Sequence, residues 1–256
     1  MRTNEERVRV LAARRLDRRD AGAAVLGLTS DEELDDPIVI LDAVEAKVQE
    51  QILPVLAGHE FPIGWHAGRL PVGRVAREAI RRELLAALYR DVGSPERAAQ
   101  ACAKLITASV RRHEAQHKLD QERGLAHPAA LAMHLDERAS SPFALRARYE
   151  LSAYLSQIAS DVWLPQLTLW NLARHAFRLP AIHNEESVVA VVVVEAIAHE
   201  LGIRARGPVL RGAQIDRDRL GELMSEIGRR STVELRNAAA AAWTQLFGAP
   251  LARVYD

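Results

Sequence analysis

A single cysteine, Cys102, stands among 256 residues. That count excludes an intrachain disulfide and a cysteine-built zinc site, so any metal must be held by nitrogen and oxygen. An excess of either charge is also missing. Lys and Arg number 34, as do Asp and Glu, and no global field draws in nucleic acid or an anionic membrane. Aromatic residues make up 5% of the chain, and they are not interleaved with basic residues as base-stacking surfaces are. The longest apolar run, residues 188–194, ends at Glu195 and is too short to span a bilayer. Residues 1–20 are rich in Arg and Glu and lack the apolar stretch of a signal peptide, so the expected location is cytoplasmic, with export of a longer precursor left open.

What is abundant is Ala, Leu, Arg and Glu in long stretches of 3.6-residue periodicity, interrupted by few glycines. The chain therefore reads as mainly α, a single domain with an N-terminal part (1–93), a central pair of helices (94–160) and a helical C-terminal part (161–256). Thr3 and Glu6 form a capping-box pattern that predicts a helix over 3–19. Periodicity predicts helices over 42–56 and 73–91. Between them, residues 58–73, with Pro62, Pro71 and four glycines, read as a loop or two short strands, the only β element expected, ahead of the central helices. Ser94-Pro95-Glu96 is an N-cap, a first-turn proline and a first-turn acid, predicting a helix to Arg123 that Gly124 closes. Ser141-Pro142 repeats the signal and opens a helix over 142–160. Further helices are predicted over 165–177, 186–201, 216–227 and 231–246, the last with a Ser231/Glu234 capping box. The valine-rich run 188–194 suits a buried strand equally well.

Within the 94–123 helix, His113-Glu114-Ala115-Gln116-His117 places two imidazoles one turn apart with a carboxylate beside the first. Residues i and i+4 share a helix face, so His113 and His117 can present two nitrogens to one ion. Ile106 and Val110 lie on the same stripe and mark it as inward. The bland alternative, two polar residues on a solvated face, sits poorly with that stripe, because buried imidazoles need a partner to offset desolvation. A catalytic zinc takes three protein ligands, so a third must come from elsewhere. The metzincin continuation is excluded, because Asp120 and Arg123 stand where Gly and His are required. Glu150 on the next helix is the leading candidate, its plain alternative being a salt bridge to Arg146. Glu195, an acid in an apolar stretch, is a rival, and Asp120 can contact a ligand imidazole or merely close the helix end. His134 and Asp136 are placed at the border of the cleft.

The motif with Glu150 resembles the gluzincin group of zinc metallopeptidases, over about residues 94–160. The resemblance implies a zincin-like helical core with Zn2+ on His113, His117 and Glu150, and Glu114 as general base. It implies hydrolysis of a peptide or protein substrate through a metal-activated water. Tyr154 and His199 are candidates for the second oxyanion donor. Two other readings stay open: a zincin-derived scaffold that holds the metal without turnover, and a helical interaction domain in which the motif is fortuitous.

Overall fold

The computed structural model describes residues 5–15, 26–29, 36–59, 72–89, 91, 93–124, 128–135, 141–204 and 206–255. The fold is mainly helical with a few small strands. Its helices are α1 (Leu41–Lys47), α2 (Leu53–Leu56), α3 (Val72–Ala87), α4 (Pro95–Arg123), α5 (Ala129–Leu135), α6 (Pro142–Ser160), α7 (Pro165–Arg178), α8 (Glu185–Glu200), α9 (Arg217–Ile227) and α10 (Thr232–Phe247). A π-helical turn over Val48–Ile52 joins α1 to α2 and begins directly after Lys47.

The caps explain where the central helices begin and end. Ser94 Oγ accepts from the Arg97 amide, Pro95 occupies the first turn, and Gly124 closes α4 at φ 61°, a left-handed conformation that glycine adopts without a Cβ penalty. Ser141 caps α6 in the same manner. The Ser231/Glu234 capping box opens α10.

The valine run is a helix. Asn184 accepts from the Ser187 amide while the Ser187 hydroxyl reciprocates at the N-cap, and this box commits residues 185–200 to α8. Residues 187–194 are all buried, because α7, α6, α10, α9 and α5 pack around this helix. A helix apolar on every side belongs at the centre of a bundle. Apolar side chains from Val8 to Ala252 join it in one hydrophobic cluster.

The N-terminal segment is the main departure from expectation. In place of a helix over 3–19, residues 5–13 form β1 (Glu5–Arg7) and β2 (Leu11–Ala13); Thr3 itself lies outside the described residues. Arg7 and Arg9 are exposed while Val8 and Val10 are buried. That two-residue alternation is a strand signal, and it outweighs the capping-box pattern because pairing partners exist. β1 pairs in parallel with β7 (Arg253–Tyr255), and β2 pairs in parallel with β4 (Ile38–Ile40). β4 also pairs antiparallel with β3 (Gly27–Leu28), giving the order β2-β4-β3. A hairpin, β5 (Leu210–Arg211) and β6 (Gln214–Ile215), lies between α8 and α9. Strand structure is thus not confined to the region before α4, and the segment 60–71 lies outside the described residues. No described helix is long and apolar enough to cross a membrane.

Two packings position the site. α4 lies along α6, and both β3 and β4 pack against α4.

Candidate metal centre

His113 and His117 come from α4, and Glu150 comes from the middle of α6. His113 Nε2 lies 3.0 Å from His117 Nε2. Glu150 Oε2 is 3.5 Å from His113 Nε2, and Glu150 Oε1 is 3.6 Å from His117 Nε2. Around an ion with bonds of about 2.0–2.2 Å, tetrahedral ligand atoms stand roughly 3.3–3.6 Å apart. The two carboxylate–imidazole distances fall in that range, while the imidazole nitrogens stand closer together, so the three side chains converge on one point without forming a regular tetrahedral face. Arg146, the rival partner for Glu150, instead pairs with Glu185.

The orientation of His113 is set from behind. Its Nδ1 lies 3.1 Å from Gln157 Oε1, and the Gln157 amide nitrogen donates to Ser109 Oγ at 3.0 Å. Because a side-chain amide oxygen only accepts, Nδ1 carries a proton, so that the neutral ring turns the Nε2 lone pair toward the cluster. His113 also meets His117 and Tyr154 edge to face, with ring centroids 4.7 and 4.8 Å away.

The electrostatics agree with a cation at this point. Burial opposes charge on His113, but its hydrogen bond to Glu150 and that carboxylate's charge outweigh burial and raise its pKa. Burial and the adjacent His113 push His117 down to about 4. Burial works to raise Glu150, but the His113 hydrogen bond and the charge of both imidazoles hold its pKa below the usual value. Without metal, one proton serves as the cation among three groups that would otherwise be buried unpaired. Two imidazoles and a carboxylate offer ligand atoms within 4.8 Å of one another, a group that could hold a metal ion, and its nitrogen and oxygen donors are of the type zinc accepts.

Glu114 stands beside this cluster. Its carboxyl is 6% exposed, accepts from Thr29 Oγ1 at 2.7 Å, and is raised in pKa, chiefly by burial. Gly27 of β3 lies directly over it, where a Cβ would collide with the carboxyl group. Together these residues line a cavity of about 580 Å³, whose other walls include Tyr154, Lys47, Arg174 and His175.

No family model, no curated protein and no solved structure matches this chain. Function must therefore be argued from the residues of the cavity.

Tyr154 lines that cavity, and burial together with the charge of Glu150 raises its pKa, so its hydroxyl stays protonated. His199 does not reach it. Glu186, in the first turn of α8, is a cavity residue, and His199 lies 13 positions further along the same helix, about 20 Å at 1.5 Å per residue. It is exposed in the last turn, where a cation suits the helix dipole. Glu195 lies nine positions beyond Glu186, about 14 Å along the helix, and accepts from the Val209 amide at 3.0 Å. Asp120 is 1% exposed and ties α4 to α6, accepting from Gln116 Nε2 at 2.6 Å and Ser152 Oγ at 2.5 Å. His134 lies within α5, and Asp136 falls outside the described residues.

Sequence reasoning missed Gln157, Thr29, Gly27 and His175. Burial and the nearby Arg174 push His175 down to about 4, and Asn184 Nδ2 approaches its Nδ1 at 3.2 Å. Of these, only Gln157 carried a signal, lying seven residues after Glu150 on the same face of α6.

Proposed function

We propose that this protein is a zinc-dependent hydrolase that cleaves peptide bonds, with zinc on His113, His117 and Glu150 and with Glu114 as the general base. One observation carries the reading: three metal-ligating side chains from two helices converge with ligand atoms within 4.8 Å of one another, with a buried carboxyl of raised pKa beside them in the same cavity. Perturbed acids next to a metal-fit cluster in a cleft are the signature of a reaction centre.

Zinc in such a three-ligand site supplies Lewis acidity, making a water in the open position acidic near neutral pH and polarising a substrate carbonyl. The rest of the chemistry belongs to the chain. Glu114 takes the water's proton as the water attacks the carbonyl carbon, and its raised pKa makes it a stronger base than an exposed carboxylate. Thr29 donates to Glu114 Oε2 and holds the carboxylate in place. The protonated Glu114 then delivers that proton to the departing amine nitrogen. Tyr154, whose hydroxyl stays protonated, supplies a donor for the oxyanion.

A peptide fits this cavity better than a compact small molecule because β3 forms one wall. β3 is an edge strand, paired only with β4 among the described residues, an arrangement that an extended chain can join by strand addition.

Glu114→Gln tests the reading. It should keep its zinc and lose hydrolysis of a mixed peptide library, whereas a zinc-loaded wild type inert on every peptide would reject it.

A further inference from the structure

Most ionic groups of the cavity have partners inside the protein. Arg146 is paired with Glu185, Glu114 is held by Thr29, and Glu150 faces the two imidazoles. Asp161 accepts from the Trp163 and Leu164 amides at the start of α7. Two cations differ. Lys47, the last residue of α1, and Arg174, in the third turn of α7, both line the cavity and are half-buried. Neither forms an ion pair with a carboxylate among the described residues.

Their placement is costly unless something offsets it. Arg174 is near enough to Lys47 for its charge, added to burial, to push the ammonium down to about 7. Two like charges in a half-buried wall gain nothing from each other and lose hydration. Glu186, on the same wall, is itself raised in pKa, first by burial and then by the charges of Glu150 and Glu185. It is therefore a poor counter-ion. An incoming anion would relieve the repulsion and restore the proton on Lys47.

We propose that Lys47 and Arg174 form a subsite for the C-terminal carboxylate of a peptide, making the site that of a carboxypeptidase. The proposal rests on the hydrolase reading above and names its substrate class. Two observations select this anion. Glu114, Glu150 and Glu186 share the cavity, so a monoanion is accepted where a dianion such as phosphate is repelled. Finally, Arg174 and Tyr154 line the same cavity and the Tyr154 ring packs on His113, so the cation shares a wall with the reaction centre. A guanidinium offers a planar fork to a carboxylate, and the lysine adds a point charge.

Binding is to be measured without turnover, in Glu114→Gln protein with and without zinc, so that the result stands apart from any hydrolysis. Calorimetric titration would compare three N-acetyl dipeptides: one with a free C-terminal carboxylate, its carboxamide, and a carboxamide carrying an Asp side chain. The free acid should bind about ten- to hundredfold more tightly than either amide, as expected for charge-assisted hydrogen bonds. Adding Arg174→Met or Lys47→Met should cut that preference to a few-fold or less, with thermal unfolding confirming that at least one variant is folded. Equal binding of acid and amide, or a preference that survives both substitutions, overturns the subsite. If the Asp-bearing amide binds as well as the free acid, the carboxypeptidase assignment is overturned. If the acid preference is found and wild type hydrolyses no peptide, the hydrolase reading fails while the subsite stands.

Discussion

The Nδ1 atom of His113 and the Oε1 atom of Gln157 lie 3.1 Å apart across the α4–α6 contact. This bond decides that Nδ1 keeps a proton, which leaves Nε2 of the neutral ring for the proposed metal. Gln157→Leu should therefore weaken zinc binding about 10- to 100-fold. Competition against a chromophoric chelator measures it, and an unchanged affinity would show that the imidazole is oriented without Gln157.

Gly27 offers a way to disturb the base without touching a ligand. In Gly27→Ala the new methyl group overlaps the Glu114 carboxyl, so the carboxylate must swing away from Thr29. Peptide turnover should fall by about 10²-fold or more, the loss typical of a misplaced general base, while zinc content stays at the wild-type level. Full turnover in this variant would mean that Glu114 acts from another position.

Remote from the site, Glu83 of α3 is 3% exposed and accepts from the Gln166 amide at 2.9 Å and the Leu167 amide at 3.4 Å, in the first turn of α7. Thr232 Oγ1 lies 3.0 Å from its other oxygen. Burial pushes its pKa up from 4.5 to about 8 despite these donors. A proton on Oε1, shared with the Thr232 hydroxyl, leaves Oε2 to accept both amides. For an acid raised in the folded state, the native protein binds the extra proton between the two pKa values. Its stabilising share is thus complete below about pH 4.5 and is lost progressively as pH rises to about 8. Relative to Glu83→Gln, wild type should lose up to ~1.4 kcal/mol per pH unit across that window. Denaturant unfolding at several pH values checks this, and a difference independent of pH contradicts it. Glu83→Ala strands two buried amides and should cost about 2–4 kcal/mol at low pH, where the protonated acid makes its full contribution.

The central pair of helices was legible because its signals are local. Ser94 and Gly124 bracket α4, Ser141 and Pro142 open α6, and the i, i+4 spacing of His113 and His117 needs no tertiary information. Glu150 was reachable as a carboxylate on the next helix. Residues 5–13 were misread because a capping-box pattern and a Val8/Val10 alternation overlap there, and the partners that decide for strands lie at 38–40 and 253–255. Parallel pairing over such distances leaves no local mark. His199 was misassigned because its helix ran the wrong way: the first turn of α8 borders the cavity and the last does not. Lys47, Arg174 and Thr29 come from separate elements and meet the motif only in the fold.

The measurement that bears most directly on the account is the zinc content of protein purified without added metal, in wild type and in His113→Ala and Glu150→Ala. A three-ligand site predicts about one zinc per chain in wild type, with loss of most of it in both variants. Less than roughly a tenth of an equivalent in wild type after zinc is supplied and excess removed, with unfolding unaffected by chelator, would contradict the metal centre and with it the hydrolase.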